Sequence, residues 1–137
     1  MADPVTKYIC STGSLVDFAL EKLKESDRWT ALRLPRMSPE KIQDMLPDLH
    51  LPAVTVSHES SKFLNSPRRI ANLTVLVLVD ATDHDASVLA DHLCDEVITC
   101  LDMQVLDNAL FRIAGFYEFF CDSAVLAYRL DFQVEDH

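Results

Sequence analysis

Asp80, Asp83, His84, Asp85, Asp91, His92 and Asp95 are the densest set of metal-capable side chains in the sequence. Carboxylate oxygens and imidazole nitrogens could together hold a divalent cation. The spacing argues against it. His84 and His92 are eight residues apart, about 80° from one another around a helix, and neither an HExxH nor an EF-hand pattern can be written. An acidic start to a helix, followed by a wet face, accounts for the same residues through the helix dipole. No metal or cofactor is assigned to them.

Nucleophilic catalysis needs a thiol or hydroxyl beside a base. Cys94 lies two residues from His92, an offset that sends the two side chains to different sides of a helix. There is no GxSxG elbow, and His50, His58 and His137 fall in a turn, at a strand end and at the C-terminus. With Gly13 and Gly115 as the only glycines, neither GxGxxG nor GxxxxGK can be formed. The expectation is a protein without catalytic residues. The alternative class is a small enzyme or ligand-binding domain that uses a pocket between helix and sheet with the acids between Asp83 and Asp95.

A different chemistry, that of contact, is suggested by two segments. Arg68 and Arg69 follow Pro67 in a stretch that also holds Phe63 and Leu64. A solvated loop is the ordinary reading, and a contact arm reaching the acidic surface of a neighbouring copy is the other. The second segment, Phe111 to Phe120, sets Phe116 and Phe120 on one side and Tyr117 and Phe119 on the other if it is a regular strand. Both sides are then apolar, and one of them needs cover. Phe63, Leu64, Arg68, Arg69, Phe116, Tyr117 and Phe119 are the candidate interface residues.

These residues must be carried by the surrounding elements. Ser14 is a plausible N-cap for a first helix with Leu15, Phe18, Ala19 and Leu23 on one face. Trp29 to Leu34 could be a short extended segment. Ser38-Pro39-Glu40 looks like the start of a short helix reaching Leu46, before the turn bracketed by Pro47 and Pro52. Ala53 to His58 and Ile70 to Val79 alternate with a period of two, so both read as strands, and Glu59 to Arg69 reads as a long hairpin connection with an exposed tip. Thr82-Asp83-His84-Asp85 resembles a capping box opening a helix from Asp83 to Met103, with Ala86, Leu89, Ala90, Leu93, Val97, Cys100 and Leu101 as its apolar stripe. Phe111 to Phe120 and Val125 to Val134, joined by a turn at Asp122-Ser123, complete the chain. The pattern predicts one α+β domain over residues 1–137, a four-stranded, mainly antiparallel sheet with two main helices packed on one face.

Composition limits the partners. Twelve basic residues face twenty-two acidic ones, a formal charge of −10 and a pI near 4.7. That is the wrong sign for gripping phosphates, so no nucleic-acid partner is expected, and a passage lined by such a protein would repel DNA. The longest apolar run, Leu73 to Val79 with Thr74 inside it, is far below the ~20 residues that cross a bilayer, and the N-terminus lacks the pattern of a signal peptide. Cys10, Cys94, Cys100 and Cys121 show no CxxC spacing, which fits a reducing compartment. The expectation is a soluble intracellular protein with no membrane partner.

The layout also carries a resemblance. An N-terminal helix, the strand LPAVTVS, a long loop, RIANLTVLVLVDA, the helix DASVLADHLCDEVITCL and an aromatic-rich pair ending in AYRLDFQVED together resemble small tail-terminator and minor tail proteins of long-tailed bacteriophages and prophages, across about Ser14 to Asp136. The resemblance implies a structural subunit forming a hexameric ring on the end of the tail tube, meeting itself, the tail-tube protein and the head connector. It implies residence in the host cytoplasm during assembly and then in the virion tail. A head-tail joining protein of the neck is the nearest alternative.

Overall fold

The computed structural model describes residues 11–34, 40, 44, 45, 48–64 and 68–136. Ser11 caps the first helix, α1 (Thr12–Lys24), from extended backbone, and its Oγ accepts from the Ser14 amide at 3.1 Å. Ser14, the cap expected from sequence, is therefore inside the first turn. Both serines precede an apolar stripe, and the stripe alone does not choose between them. α1 buries Leu15, Val16, Ala19, Leu20 and Leu23, and carries Lys22 and Lys24 in its last turn, where the dipole favours cations.

Trp29 then ties the chain back to this helix. Its ring is buried, and Nε1 donates at 2.9 Å to the Leu23 carbonyl, which occupies the last turn where intrahelical partners run out. That anchor delivers β1 (Thr30–Arg33) to the sheet edge, parallel to β2 (Ala53–Leu64), with Thr30 opposite Ala53. The short helix expected from Ser38 to Leu46 lies mostly outside the described residues.

β2 pairs antiparallel with β3 (Arg68–Asp80), β3 with β6 (Val125–Asp136), β6 with β5 (Ala109–Cys121), and β5 with β4 (Val105–Leu106). The order is β1-β2-β3-β6-β5-β4, a mixed six-stranded sheet curled into a half-barrel. The domain is α+β, but the four-stranded, mainly antiparallel sheet is corrected: β1 adds a parallel pair and β4 a sixth strand. The long hairpin loop is corrected as well. Ser60 to Leu64 pair with Asn72 to Arg68, so the ladder runs through the polar stretch and only residues 65–67, outside the described set, separate the strands. Backbone hydrogen bonding does not depend on side-chain polarity, and Ser60 and Lys62 stay in water on a strand that is nonetheless paired.

One face of the sheet carries Val54, Val56, Leu73, Val75, Val77, Leu130, Phe132 and Val134 against both helices. α2 (Ala86–Leu101) lies on it through Ala86, Ala90, Leu93, Cys94, Val97 and Leu101. The expected capping box does not form. Asp85 occupies the cap position without a side-chain cap bond; the preceding turn is built instead by Asp80 Oδ1, which accepts from the Thr82 amide and hydroxyl at 2.9 and 2.7 Å, and by Asp83 Oδ1, which accepts from the Asp85 amide. On the opposite face a smaller cluster, Ala53, Leu76, Leu78, Val125 and Ala127, is packed by Leu49, Leu51, Phe119 and Phe120. No described helix is long and apolar enough to cross a membrane.

Candidate assembly surface

β5 is where the sheet stops short. β4 covers only Ala109 and Leu110. The backbone of Met103 and Gln104 reaches Phe111 at 2.8 and 2.9 Å, and the Asp102 carboxylate accepts from the Ile113 amide at 2.9 Å. Beyond Ile113 no described residue pairs with the outer edge of β5, although β6 pairs with its inner edge as far as Cys121. Phe111 turns its amide and carbonyl outward. Carrying the antiparallel alternation through the bulge at Ala114, Phe116 and Glu118 do the same. An open edge of this kind is a template for another chain.

Two irregularities aim the aromatic side chains. The ladder shifts between Ile113 and Gly115 and again between Glu118 and Phe120. Each bulge inserts one residue and so resets which side the following residues face. Phe116, opposite Leu130, is on the helix side with its ring 6.4 Å from Tyr128. Tyr117, opposite Arg129, is on the other side. Phe120, opposite Ala127, shares Tyr117's side and not that of Phe116, which corrects the regular alternation expected from sequence. Phe116 and Tyr117 are 46% and 48% exposed, so neither is in the core and both sides of the strand offer an aromatic surface next to the open edge.

Beneath Tyr117 the sheet is polar and tied together. Arg129 donates from Nε to Asp131 at 2.8 Å, lies 3.9 Å from Glu59, and sits 5.9 Å from the centre of the Phe119 ring. Burial pulls the Arg129 pKa down, but the hydrogen bond to Asp131 and the charges of Asp131, Tyr117 and Glu59 outweigh it and leave the guanidinium more firmly protonated than usual. Phe119 is thus half-buried support for the arginine. On the other side, burial first, then the charges of Asp91 and Glu118, raise the Tyr128 pKa, keeping a neutral hydroxyl beside Phe116.

The remaining candidates are spread out. Phe63 is 65% exposed at the end of β2; nothing is described of the Leu64 side chain. Arg68 is exposed and ion-paired with Glu135 on β6. Arg69 is only 4% exposed, which removes it from any contact arm: it follows the inward alternation of Ala71 and Leu73 along β3.

The groups weighed for chemistry are placed as follows. Asp83, His84 and Asp85 bring their ligand atoms within 4.8 Å of one another, but all three are exposed and Asp83 is already engaged by the turn. His92 is exposed while Cys94 is fully buried, with burial first and then Asp91 and Asp95 pushing the thiol up to about 12. Cys100 is raised in the same direction by burial, then by Glu96 and Glu25, the reverse of what activates a nucleophilic thiol. It lines an open groove of about 350 Å³ with Trp29, His92, Asp95, Glu96 and Thr99. Sequence reasoning missed this groove, because Trp29 and α2 are brought together only by the packing of α1. In comparisons with known proteins, the chain matches no family model and no curated sequence.

Proposed function

We propose that this protein is a structural subunit of a long-tailed phage tail, a tail terminator that closes into a ring on the end of the tail tube beside the head connector. The observation that carries the reading is the outer edge of β5, open from Ala114 to Cys121 among the described residues and flanked on its two sides by half-exposed Phe116 and Tyr117. Exposed edges and aromatic patches are liabilities that monomeric proteins blunt, and a ring covers them. Glu118, next along the strand after Tyr117, is the kind of charge that discourages indiscriminate pairing while leaving a matched partner free to bind. The formal charge of −10 suits a passage through which DNA must slide. The six-fold count and the neighbours come from the family resemblance. Light scattering on the purified chain, followed by electron microscopy with tail tubes, tests the reading: rings alone or bound at tube ends are expected. A chain that stays monomeric at high concentration and leaves tube ends bare overturns it.

A further inference from the structure

The outer edge of β5 is bulged, and the bulges restrict what can lie against it. Hydrogen-bonded and non-hydrogen-bonded pairs alternate along an antiparallel ladder, so the ladder to β6 shows which peptide groups of β5 turn outward. The Ile113 amide does, since the Asp102 carboxylate accepts from it; the Asp122 amide donates inward to the Val125 carbonyl. Between these fixed points the outward residues are Ile113, Phe116, Glu118 and Cys121, opposite the alternate β6 residues Phe132, Leu130, Tyr128 and Leu126. The two bulges place outward groups three residues apart on either side of the regular step from Phe116 to Glu118. A regular strand, whose groups recur every second residue, falls out of step at both bulges. A strand with the same bulges keeps step when it is turned end for end about Tyr117, because Ile113 then meets Cys121 and Phe116 meets Glu118. β5 of a second copy is such a strand.

We infer that two copies pair antiparallel through β5 about a two-fold axis at Tyr117, joining their sheets into one. Phe116 of each copy then faces Glu118 of the other on the helix side, and the two Tyr117 rings, each about half exposed, meet across the axis on the opposite side. The charge selects this register. A displacement of two residues one way sets Glu118 against Glu118, where like charges oppose pairing, and the same displacement the other way takes the bulges out of step. The reversed copy also fits the open length: it reaches Ile113 with Cys121 and then turns at Asp122 toward its own β6, short of β4, which covers only Ala109 and Leu110. The inference goes beyond the ring reading. A two-fold contact closes on itself, so a ring that contains it is assembled from pairs.

Disulfide trapping tests the register. Tyr117→Cys brings two thiols together at a pair whose Cα atoms are about 4.5 Å apart, within disulfide reach. Gly115→Cys, on the same side of the strand with open space around its Cβ, holds them more than ~10 Å apart. Under mild oxidation, at a concentration where the parent associates, Tyr117→Cys is expected to give about ten times more covalent dimer than Gly115→Cys, with peptide mass spectrometry locating the bond at position 117 of both chains. Glu118→Pro removes one outward amide from each copy and is tolerated on an edge, so association should weaken about 25-fold, two lost hydrogen bonds at roughly five-fold each. Glu118→Ala, which keeps the amide, should stay within about three-fold of the parent. Circular dichroism checks that the variants remain folded, and the trapping result decides if the proline variant does not. A parent that associates without the bond at position 117, or a folded Glu118→Pro that associates like the parent, overturns the two-fold pairing and leaves the ring reading standing. A parent that stops at the trapped pair supports the pairing and counts against the ring; a monomeric parent overturns both.

Discussion

Glutamate placed at Phe116 or at Tyr117 separates the role of β5 in the fold from its role in assembly. Regular alternation would put one of these rings under a helix, so that one substitution unfolds the subunit. The bulges change that expectation, because both rings are about half exposed. An aromatic side chain buries roughly 150–250 Å² when fully covered, which leaves on the order of 100 Å² of each ring for a partner. At ~25 cal/mol per Å², covering it contributes about 2.5 kcal/mol per ring, or close to two orders of magnitude in association, before the cost of bringing subunits together. The half of each ring already buried in the isolated subunit is of the same size, so its loss costs up to about 2.5 kcal/mol of subunit stability. Phe132→Ala is the contrast: that ring is 1% exposed between strands and helices, and its removal costs roughly 3–5 kcal/mol. Thermal melts by circular dichroism and size by light scattering read the two effects separately. Phe116→Glu and Tyr117→Glu are both expected to lose the ring and to melt below the parent but above Phe132→Ala. Rings of parent size in both glutamate variants would refute the assignment of β5 as an interface; a melt as low as that of Phe132→Ala would refute the half-exposed placement.

Three further outcomes are expected. In the folded protein at pH 8, iodoacetamide should modify exposed Cys121 first, half-buried Cys100 more slowly and Cys94, pushed up to about 12, only after denaturation; early labelling of Cys94 by peptide mass spectrometry would contradict the packing of α2. Asp80→Asn keeps an acceptor oxygen but removes the charge that Thr82 stabilises. The folded Asp80 pKa lies below 3.8 because of the hydrogen bonds from Thr82, so the charge contributes stability above pH 3.8 and loses it as pH falls through the lowered value. The melting gap between parent and variant should therefore be present at pH 7 and close below pH 3.8; a gap that persists in acid would show that the charge is not its source. Chelation should leave the melting temperature unchanged, because Asp83, His84 and Asp85 are exposed and serve the turn before α2; a large drop reversed by one divalent ion would place a structural metal there.

What the sequence determined by itself was the set of long amphipathic elements. The stripe from Ala86 to Leu101 and the alternation through Val75, Val77 and Val79 each repeat often enough to assign both element and buried face, and both are found in the main core. The aromatic candidates Phe116 and Tyr117 were legible for the same reason, as large apolar side chains in a strand pattern that one core cannot absorb. The tertiary structure alone decided the rest. β1 and β4, four and two residues long, have no period to read; they are strands because Trp29 anchors one beside β2 and the Met103 turn lays the other against β5. Ser60 to Leu64 is polar enough to pass for a loop, yet beyond a bulge at Glu59 its backbone pairs residue by residue with β3. The bulges in β5 are invisible in composition, and they decide that Phe120 parts company with Phe116. The groove at Trp29 is of the same kind, since Trp29 and the α2 residues His92 to Cys100 that line it are far apart in sequence. Periodicity records which side of an element prefers to be dry, whereas pairing, bulges and grooves depend on which other element comes to lie beside it.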